Sequence, residues 1–167
     1  GYRPASIQKI KIGADKAGKL VSIIHEAVHN TSSHEDFAED LVGISRTLYA
    51  CPNVRTDAKI TRTDLQTPLW MRAPGTVSGA FALESALDEL AYKLKIDPLE
   101  LRLINYAETD PDTGRPFSSK ELRECYRQGA ERFGWKDRKP EPRSMRDGRF
   151  MVGWGLATGT WGAFLAP

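Results

Sequence analysis

Cysteine is scarce in this sequence. Cys51 and Cys125 are the only two among 167 residues, and they form no CxxC pair. A cysteine zinc knuckle or an iron–sulfur cluster needs several closely spaced thiolates, so we expect neither within these residues. We expect two free, buried thiols, which are typical of the cytoplasm, where disulfides rarely persist.

Long apolar runs and an excess of one charge are also missing. No apolar stretch approaches the ~20 residues of a membrane span, and the N-terminus carries no apolar signal segment. A net charge of +2 gives no reason to expect nucleic acid or an anionic membrane as a partner. The sequence starts at Gly1 and ends in an apolar, glycine-rich run. We therefore expect a piece of a longer protein that is cytoplasmic or, as a whole, exported to the periplasm.

Residues 1–63 show mainly β patterns. Positions 6–14 alternate as in a half-buried strand, and after a turn positions 19–28 are rich in β-branched residues. Together they predict a hairpin. We expect 29–36 to be a polar loop, whereas 54–61 predicts another strand with one charged face.

Helical patterns dominate residues 76–135. Apolar residues at helical spacing predict a long helix over 78–94. Asp97-Pro98 predicts the start of a second helix, with an N-cap aspartate and proline in the first turn. Ser118, with glutamate three residues later, predicts a capping box at the start of a third.

The remaining features complete the expected architecture. Glu84 and Asp88 share one helix face, and we expect them to be solvated rather than catalytic. Residues 136–149 predict a basic linker, and 150–167 a buried, truncated strand. We expect one α+β segment over 1–167, in which a β-hairpin and further strands pack with two to three helices.

The segment His25-Glu26-Ala27-Val28-His29 matches the H-E-x-x-H motif of zinc peptidases. That chemistry needs a helix, because a helix brings histidines four residues apart onto one face to share a metal. The β-branched run before the motif favours a strand, on which the two histidines would lie ~13 Å apart. We favour coincidence, and a zinc metallopeptidase is the alternative enzyme.

Residues 64–75 form a loop that leads into the long helix and ends in Met71-Arg72-Ala73-Pro74-Gly75. An arginine beside a Pro-Gly bend at a helix N-terminus suits an anion, because the guanidinium and the loop N–H groups donate to the same place. The alternative is a surface loop whose arginine is solvated.

Five segments, in this order and spacing, resemble the large subunit of the xanthine dehydrogenase and aldehyde oxidase family. They are 52–55, 71–75, 81–91, 97–105 and 153–160. The resemblance extends over the whole chain. It implies a molybdenum hydroxylase that oxidises aldehydes or N-heterocycles with water-derived oxygen. It also implies a molybdopterin cofactor, commonly the cytosine dinucleotide form in bacteria, and partner subunits or domains that carry iron–sulfur clusters and FAD.

The resemblance places the 71–75 loop beside the molybdenum. The cofactor-binding residues that it implies are Met71, Arg72, Ala73 and Gly75. Pro74 and Phe164 would border the substrate pocket. Xanthine-oxidising members have an aromatic residue where this chain has Pro74, so we expect an aldehyde rather than a purine.

The general-base glutamate of the family lies near the end of the subunit, outside this chain. We therefore expect no catalytic residue and no metal ligand here. The isolated chain is expected to be inactive and to bind little or no cofactor. A non-catalytic interaction domain is the remaining alternative.

Overall fold

The computed structural model describes residues 1–160 as an α+β structure, which confirms the predicted class. The elements in chain order are β1 (Ser6–Ala14), β2 (Leu20–Ser32), α1 (Ile44–Thr47), β3 (Val54–Thr63), α2 (Thr76–Leu94), α3 (Pro98–Ile104), α4 (Leu122–Phe133), a 3-10 helix (Trp135–Asp137), β4 (Met145–Asp147) and β5 (Phe150–Val152).

Strands β1 and β2 form the predicted antiparallel hairpin. Its turn is closed by Asp15, whose carboxylate accepts hydrogen bonds from the N–H groups of Ala17 and Lys19, both at 2.9 Å. Strand β2 continues to Ser32, so part of the expected polar loop after Val28 is strand instead.

Strand β3 pairs with β2 in parallel, which gives the sheet order β1-β2-β3. A parallel pair cannot be joined by a tight turn and needs a crossover connection. Residues 33–53 form this crossover, which contains α1 and carries Glu39 to the start of α2.

Helix α2 covers the sheet with the apolar face that its sequence predicts. Leu83, Leu87 and Ala91 are buried and belong to one core cluster with Leu20 and Ile23 of β2. Burying a leucine side chain contributes ~1.5–3 kcal/mol, so this stripe holds helix and sheet together.

The first turns of α2 lie very close to the crossover. A Cβ atom built on Gly75 would lie 2.4 Å from the carbonyl oxygen of Asp40, and one on Gly79 only 2.0 Å from that of Leu41. Because glycine has no Cβ, it permits this approach of backbone to backbone. The start of α2 is thereby fixed against the crossover.

The starts of α3 and α4 differ in their capping. Asp97 caps α3 as predicted, accepting from the N–H groups of Leu99 at 2.8 Å and Glu100 at 3.4 Å. The predicted capping box at Ser118 is wrong. Helix α4 begins later than the box requires, with Glu121 at the N-cap and no side-chain cap.

The segment after α4 departs most from the predictions. Within the predicted linker 136–149, β4 forms and pairs with β5 in a short antiparallel hairpin. The strand predicted over 150–167 covers only 150–152 of the described residues, and both Phe150 and Met151 are exposed. Glycine residues follow closely in the sequence, and glycine weakens a strand interior, which accounts for the early end of β5.

Both cysteines are free, as predicted, but neither is buried: Cys51 is half-buried and Cys125 is exposed. Among residues 1–160, no helix combines the length and apolar character that crossing a membrane requires.

Candidate functional site

The 71–75 loop lies between β3 and α2, and its approach is anchored on both sides. Leu69 donates its N–H to the carbonyl of Tyr2 at 3.0 Å. The Trp70 ring packs against Phe37 of the crossover, with ring centroids 5.5 Å apart. The loop is therefore attached to the N-terminal residues and to the crossover before it turns into α2.

Two residues of the loop have positive backbone φ angles. Gly75, at the N-cap of α2, has φ 70°, and Ala73 has φ 51°. The left-handed region costs a non-glycine residue about 1–2 kcal/mol, so surrounding contacts must stabilise Ala73 there. Neighbouring side chains supply those contacts.

Glu39 holds the end of the loop at the helix. Its side chain is fully buried, and its Oε2 accepts the N–H of Gly75 at 2.9 Å. A carboxylate is favourable at this position because the N-terminus of α2 carries partial positive charge. The Gly75 N–H predicted to face a cofactor is thus bonded to Glu39 instead.

Arg3 holds the middle of the loop. Its Nη2 donates to the Arg72 carbonyl at 2.7 Å, and its Nη1 lies 3.5 Å from both the Ala73 carbonyl and Glu39 Oε2. Neither Arg3 nor Glu39 was predicted to contact this loop. No local pattern points to them, because they lie 69 and 36 residues from the loop groups that they bind.

Several donors of the loop have no partner within residues 1–160. Within residues 1–160, the N–H groups of Met71, Arg72 and Ala73 have no hydrogen-bond acceptor, and the exposed Arg72 side chain forms no ion pair or hydrogen bond. Free N–H groups and a free guanidinium are the donors that an anion-binding loop needs; that this loop binds a cofactor stays a prediction. Three of the four predicted cofactor contacts therefore present free N–H groups.

The structure describes one of the two predicted pocket residues. Pro74 lies half-buried between the free donors and the N-cap Gly75. Phe164 lies outside the described residues, so its predicted place beside the substrate stays a prediction.

The H-E-x-x-H segment lies on β2, as the β-branched run before it predicts, and not on a helix. His25 is buried, with Nδ1 hydrogen-bonded to Ser45 Oγ at 2.8 Å and Nε2 to Gln8 Oε1 at 3.0 Å. Burial lowers the pKa of His25, against a smaller opposing effect from Asp40. Residues 1–160 contain no group of three histidine, cysteine or acidic side chains that could hold a metal. The zinc peptidase alternative therefore gains no support.

A buried Arg–Glu pair joins α2 and α3, and it corrects the prediction that Glu84 is solvated. Glu84 is buried, and its carboxylate accepts from Arg102 Nε at 2.9 Å. The guanidinium also lies 2.9 Å from Asp88, which is partly exposed, and donates to the Pro98 carbonyl at 2.9 Å. Burial is the largest single effect and lowers the pKa of Arg102, but Glu84, Tyr49 and Asp88 together outweigh it, so the pKa is raised.

The same carboxylate fastens two further segments. Tyr49 donates to Glu84 Oε1 at 2.6 Å, and the Thr158 N–H donates to Oε2 at 2.9 Å. The Thr158 hydroxyl contacts the hydroxyls of Tyr49 and of Tyr126 in α4. Burial, and then the charge of Glu84, raise the pKa of Tyr49 well above its ordinary value. We call this group the Glu84–Arg102 cluster; none of its residues belongs to the 71–75 loop.

Comparison with known proteins places this geometry among molybdenum proteins. Residues 1–106 match the family model of the molybdopterin cofactor-binding domain. Over 159 residues the chain is 44% identical to the aldehyde oxidoreductase molybdenum-binding subunit PaoC of Escherichia coli K12, which covers 95% of this chain and 22% of PaoC. It is 29% identical over 154 residues to the xanthine dehydrogenase molybdenum-binding subunit of Escherichia coli O157:H7, covering 88% of this chain and 20% of that subunit.

A solved structure shows the same fold. The aldehyde oxidoreductase from Desulfovibrio gigas aligns with a TM-score of 0.70 and 26% identity, covering 80% of this chain and 15% of that protein. The chain spans about a fifth of the length of the curated relatives it matches.

Proposed function

We propose that this chain forms one wall of a molybdenum cofactor site. The premise is that it belongs to the family of molybdopterin cofactor-binding domains found in subunits of the xanthine dehydrogenase and aldehyde oxidase type. The full-length subunit is a molybdopterin-dependent oxidoreductase that hydroxylates aldehydes, with N-heterocycles as the second substrate class. The loop 64–75 is the element on the cofactor side.

The arrangement of the 71–75 loop carries this proposal. Its outward face offers three free N–H groups and the unpaired Arg72 guanidinium, as far as residues 1–160 show, while Arg3 and Glu39 hold its inner face. An anionic, oxygen-rich group needs donors that converge and that do not reorganise when it binds. A solvated surface loop needs neither a left-handed alanine nor a buried carboxylate beneath it.

The residues present fit a molybdopterin group. When bound, the cofactor supplies the two-electron oxidation of the substrate. We propose that Met71, Arg72 and Ala73 contact it, mainly through main-chain N–H groups, and that Gly75 shapes the turn. The general base lies elsewhere in the subunit. The cytosine dinucleotide form of the cofactor and the iron–sulfur and FAD partners follow from the family and belong to the same proposal.

Pro74 supports an aldehyde substrate. A proline ring offers no aromatic face for a purine to stack on, and stacking is a main source of affinity for flat heterocycles. We propose that Pro74 borders the substrate pocket together with Phe164. Aldehyde oxidation is also what the names of PaoC and of the Desulfovibrio gigas protein state for those relatives. We propose the cytoplasm for the subunit, with the periplasm as the alternative; the two free cysteines suit the cytoplasm.

The test is to purify the full-length subunit with its partner subunits and to measure molybdenum, zinc and pterin. Turnover is then compared between an aromatic aldehyde and xanthine. We expect stoichiometric molybdenum and pterin, and faster turnover of the aldehyde. An active preparation with zinc and without molybdenum would overturn the proposal. The isolated 167-residue chain should contain no stoichiometric cofactor and should turn over neither compound.

A further inference from the structure

We propose that Arg3 and Glu39 are positioning residues for the cofactor, because together they set the direction of the Ala73 N–H. This inference rests on the proposed function, since it concerns how the same loop presents its donors. Neither side chain needs to touch the cofactor. Both act through the backbone of the 71–75 loop.

Arg3 acts through the planarity of the peptide bond. Its shortest hydrogen bond, at 2.7 Å, goes to the carbonyl oxygen of Arg72. No peptide bond among residues 1–160 is cis, and in a trans peptide the N–H of the next residue points away from the preceding carbonyl. Holding the Arg72 carbonyl against Arg3 therefore turns the Ala73 N–H to the opposite side, where no protein acceptor is described.

The second carbonyl that Arg3 approaches belongs to Ala73, at 3.5 Å. The residue after Ala73 is Pro74, which has no N–H, so this contact orients no further donor. It instead helps to hold Ala73 in its left-handed conformation, with φ 51°. Arg3 thus both orients one N–H and supports the strained residue that carries it.

Glu39 acts on the other end of the loop and on Arg3. Its buried Oε2 fixes the Gly75 N–H at 2.9 Å and lies 3.5 Å from Arg3 Nη1. Its Oε1 is also buried and has no hydrogen-bond partner among residues 1–160. The Glu39 carboxylate thus balances the charge of Arg3 although one of its oxygens has no hydrogen bond. The shorter hydrogen bonds of both side chains go to the loop.

The nearby pair of Arg62 and Asp36 shows what an ordinary surface ion pair looks like. It has N–O distances of 2.8 to 3.0 Å, and both side chains are well exposed. Arg62 donates to Asp36 and to no carbonyl of the loop. Arg3, in contrast, lies closer to the Arg72 carbonyl than to the Glu39 carboxylate. Its main contact is therefore with the loop and not with Glu39.

The experiment uses Arg3→Lys and Glu39→Gln in the full-length subunit, with Arg62→Lys and Asp36→Asn as matched controls. Lysine keeps the charge of Arg3 but lacks the planar fork that reaches two carbonyls. We expect both test variants to retain molybdenum. Their kcat should fall on the order of 10-fold to 100-fold with little change in KM, because a misplaced donor weakens the transition state more than substrate binding. The controls should match the unmodified subunit.

Two readouts do not depend on activity. The Mo(V) electron paramagnetic resonance signal should shift in the test variants, because the donors around the metal have moved. Trypsin should cleave after the exposed Arg72 faster in the cofactor-free test variants than in the controls, measured by mass spectrometry, because their loop is held less firmly.

The outcomes separate the two proposals. A molybdenum-containing Arg3→Lys variant with an unchanged Mo(V) signal and unchanged cleavage overturns the positioning role and leaves the proposed function intact. An active unmodified subunit that lacks molybdenum overturns the proposed function and the cofactor role of the pair with it. If Glu39→Gln does not fold, Arg3→Lys decides alone, since Arg3 is partly exposed.

Discussion

Among residues 1–160, two Arg–Glu pairs have a buried carboxylate, and they differ in whether both carboxylate oxygens have a hydrogen-bond partner. In the Glu84–Arg102 cluster both side chains are buried and lie 2.8 Å apart, and the carboxylate also binds Tyr49 and Thr158. In the other pair Arg3 and Glu39 are 3.5 Å apart, and one carboxylate oxygen has no partner in the described part of the chain.

The difference shows two roles that a buried carboxylate has in this chain. A pair whose hydrogen bonds are all directed at other elements fixes those elements to one another. A pair that directs its strongest bond at a loop carbonyl leaves the opposite side of that loop free for a ligand. Substitutions in the Glu84–Arg102 cluster should therefore lower stability most. Substitutions in the 71–75 loop should affect cofactor binding most.

The largest expected effect is on the cluster. Glu84→Ala should lower the free energy of unfolding by about 3–5 kcal/mol, because it leaves the buried Arg102 guanidinium without its main partner and the Tyr49 hydroxyl without its acceptor. Urea unfolding of the chain measures the loss. Glu131→Ala, which removes an exposed i,i+4 partner of Arg127, is the control and should change stability by less than about 0.5 kcal/mol. Similar losses in both variants would contradict the distinction.

A second test concerns the packing beneath the loop. Gly79→Ala should destabilise the chain by about 1–3 kcal/mol, because the new methyl group would overlap the Leu41 carbonyl and push α2 away from the crossover. Gly129→Ala, in α4, meets no atom within 4 Å and should stabilise by about 0.5–1 kcal/mol through helix propensity. Thermal unfolding of both variants checks the opposite signs, and a gain from Gly79→Ala would show that this contact is not tight.

The third prediction concerns the pH dependence of stability that the buried His25 causes. Burial lowers the pKa of His25 below its ordinary value of 6.5, so the unfolded chain binds a proton more readily than the folded one. The stability linked to His25 is fully present above pH 6.5 and is lost as the pH falls from there towards the folded pKa. Urea unfolding from pH 7.5 to 5.5, about one unit either side of the ordinary histidine pKa, should show this loss.

His25→Gln should flatten that pH dependence, because glutamine does not titrate. The same substitution at the exposed His34 is the control for the exchange of a histidine by a glutamine. An equal slope in the unmodified chain and in His25→Gln would show that other groups cause the dependence.

The smallest effect on stability is expected in the loop. Arg72→Ala should change the free energy of unfolding by less than about 0.5 kcal/mol, because its side chain is exposed and has no partner in residues 1–160. In the full-length subunit the same change should reduce the molybdenum content, which elemental analysis measures. Arg62→Ala serves as control and should not reduce it; equal reductions would show that Arg72 contributes only general charge.

Local patterns predicted the elements whose cause is local. The alternation in β1, the apolar spacing in α2 and the aspartate before Pro98 each depend on neighbouring residues, and the structure shows all three. The end of β2 and the brief β5 were placed wrongly, because strand length depends on partners that a single segment does not reveal.

Distant contacts explain what the sequence did not reveal. Glu84 has the spacing of an exposed helix charge, yet its partner Arg102 lies 18 residues away on another helix and draws it into the core. In the candidate site, the loop and its arginine were singled out by the family resemblance, since their own residues suit a solvated surface loop as well. Arg3 and Glu39 could not be identified from the sequence, since only the folded sheet and crossover bring them to the loop.

The contact between Arg3 and Arg72 also bears on the order of events during synthesis. It joins residues 69 positions apart, and contacts of such high sequence separation form late, after the local hairpin and helix. A chain emerging from the ribosome can close the β1–β2 hairpin early, but it cannot shape the loop until the start of α2 has appeared and docked on the crossover. For the proposed cofactor site, this means that the loop reaches its final shape only when the first and the middle part of this segment have come together.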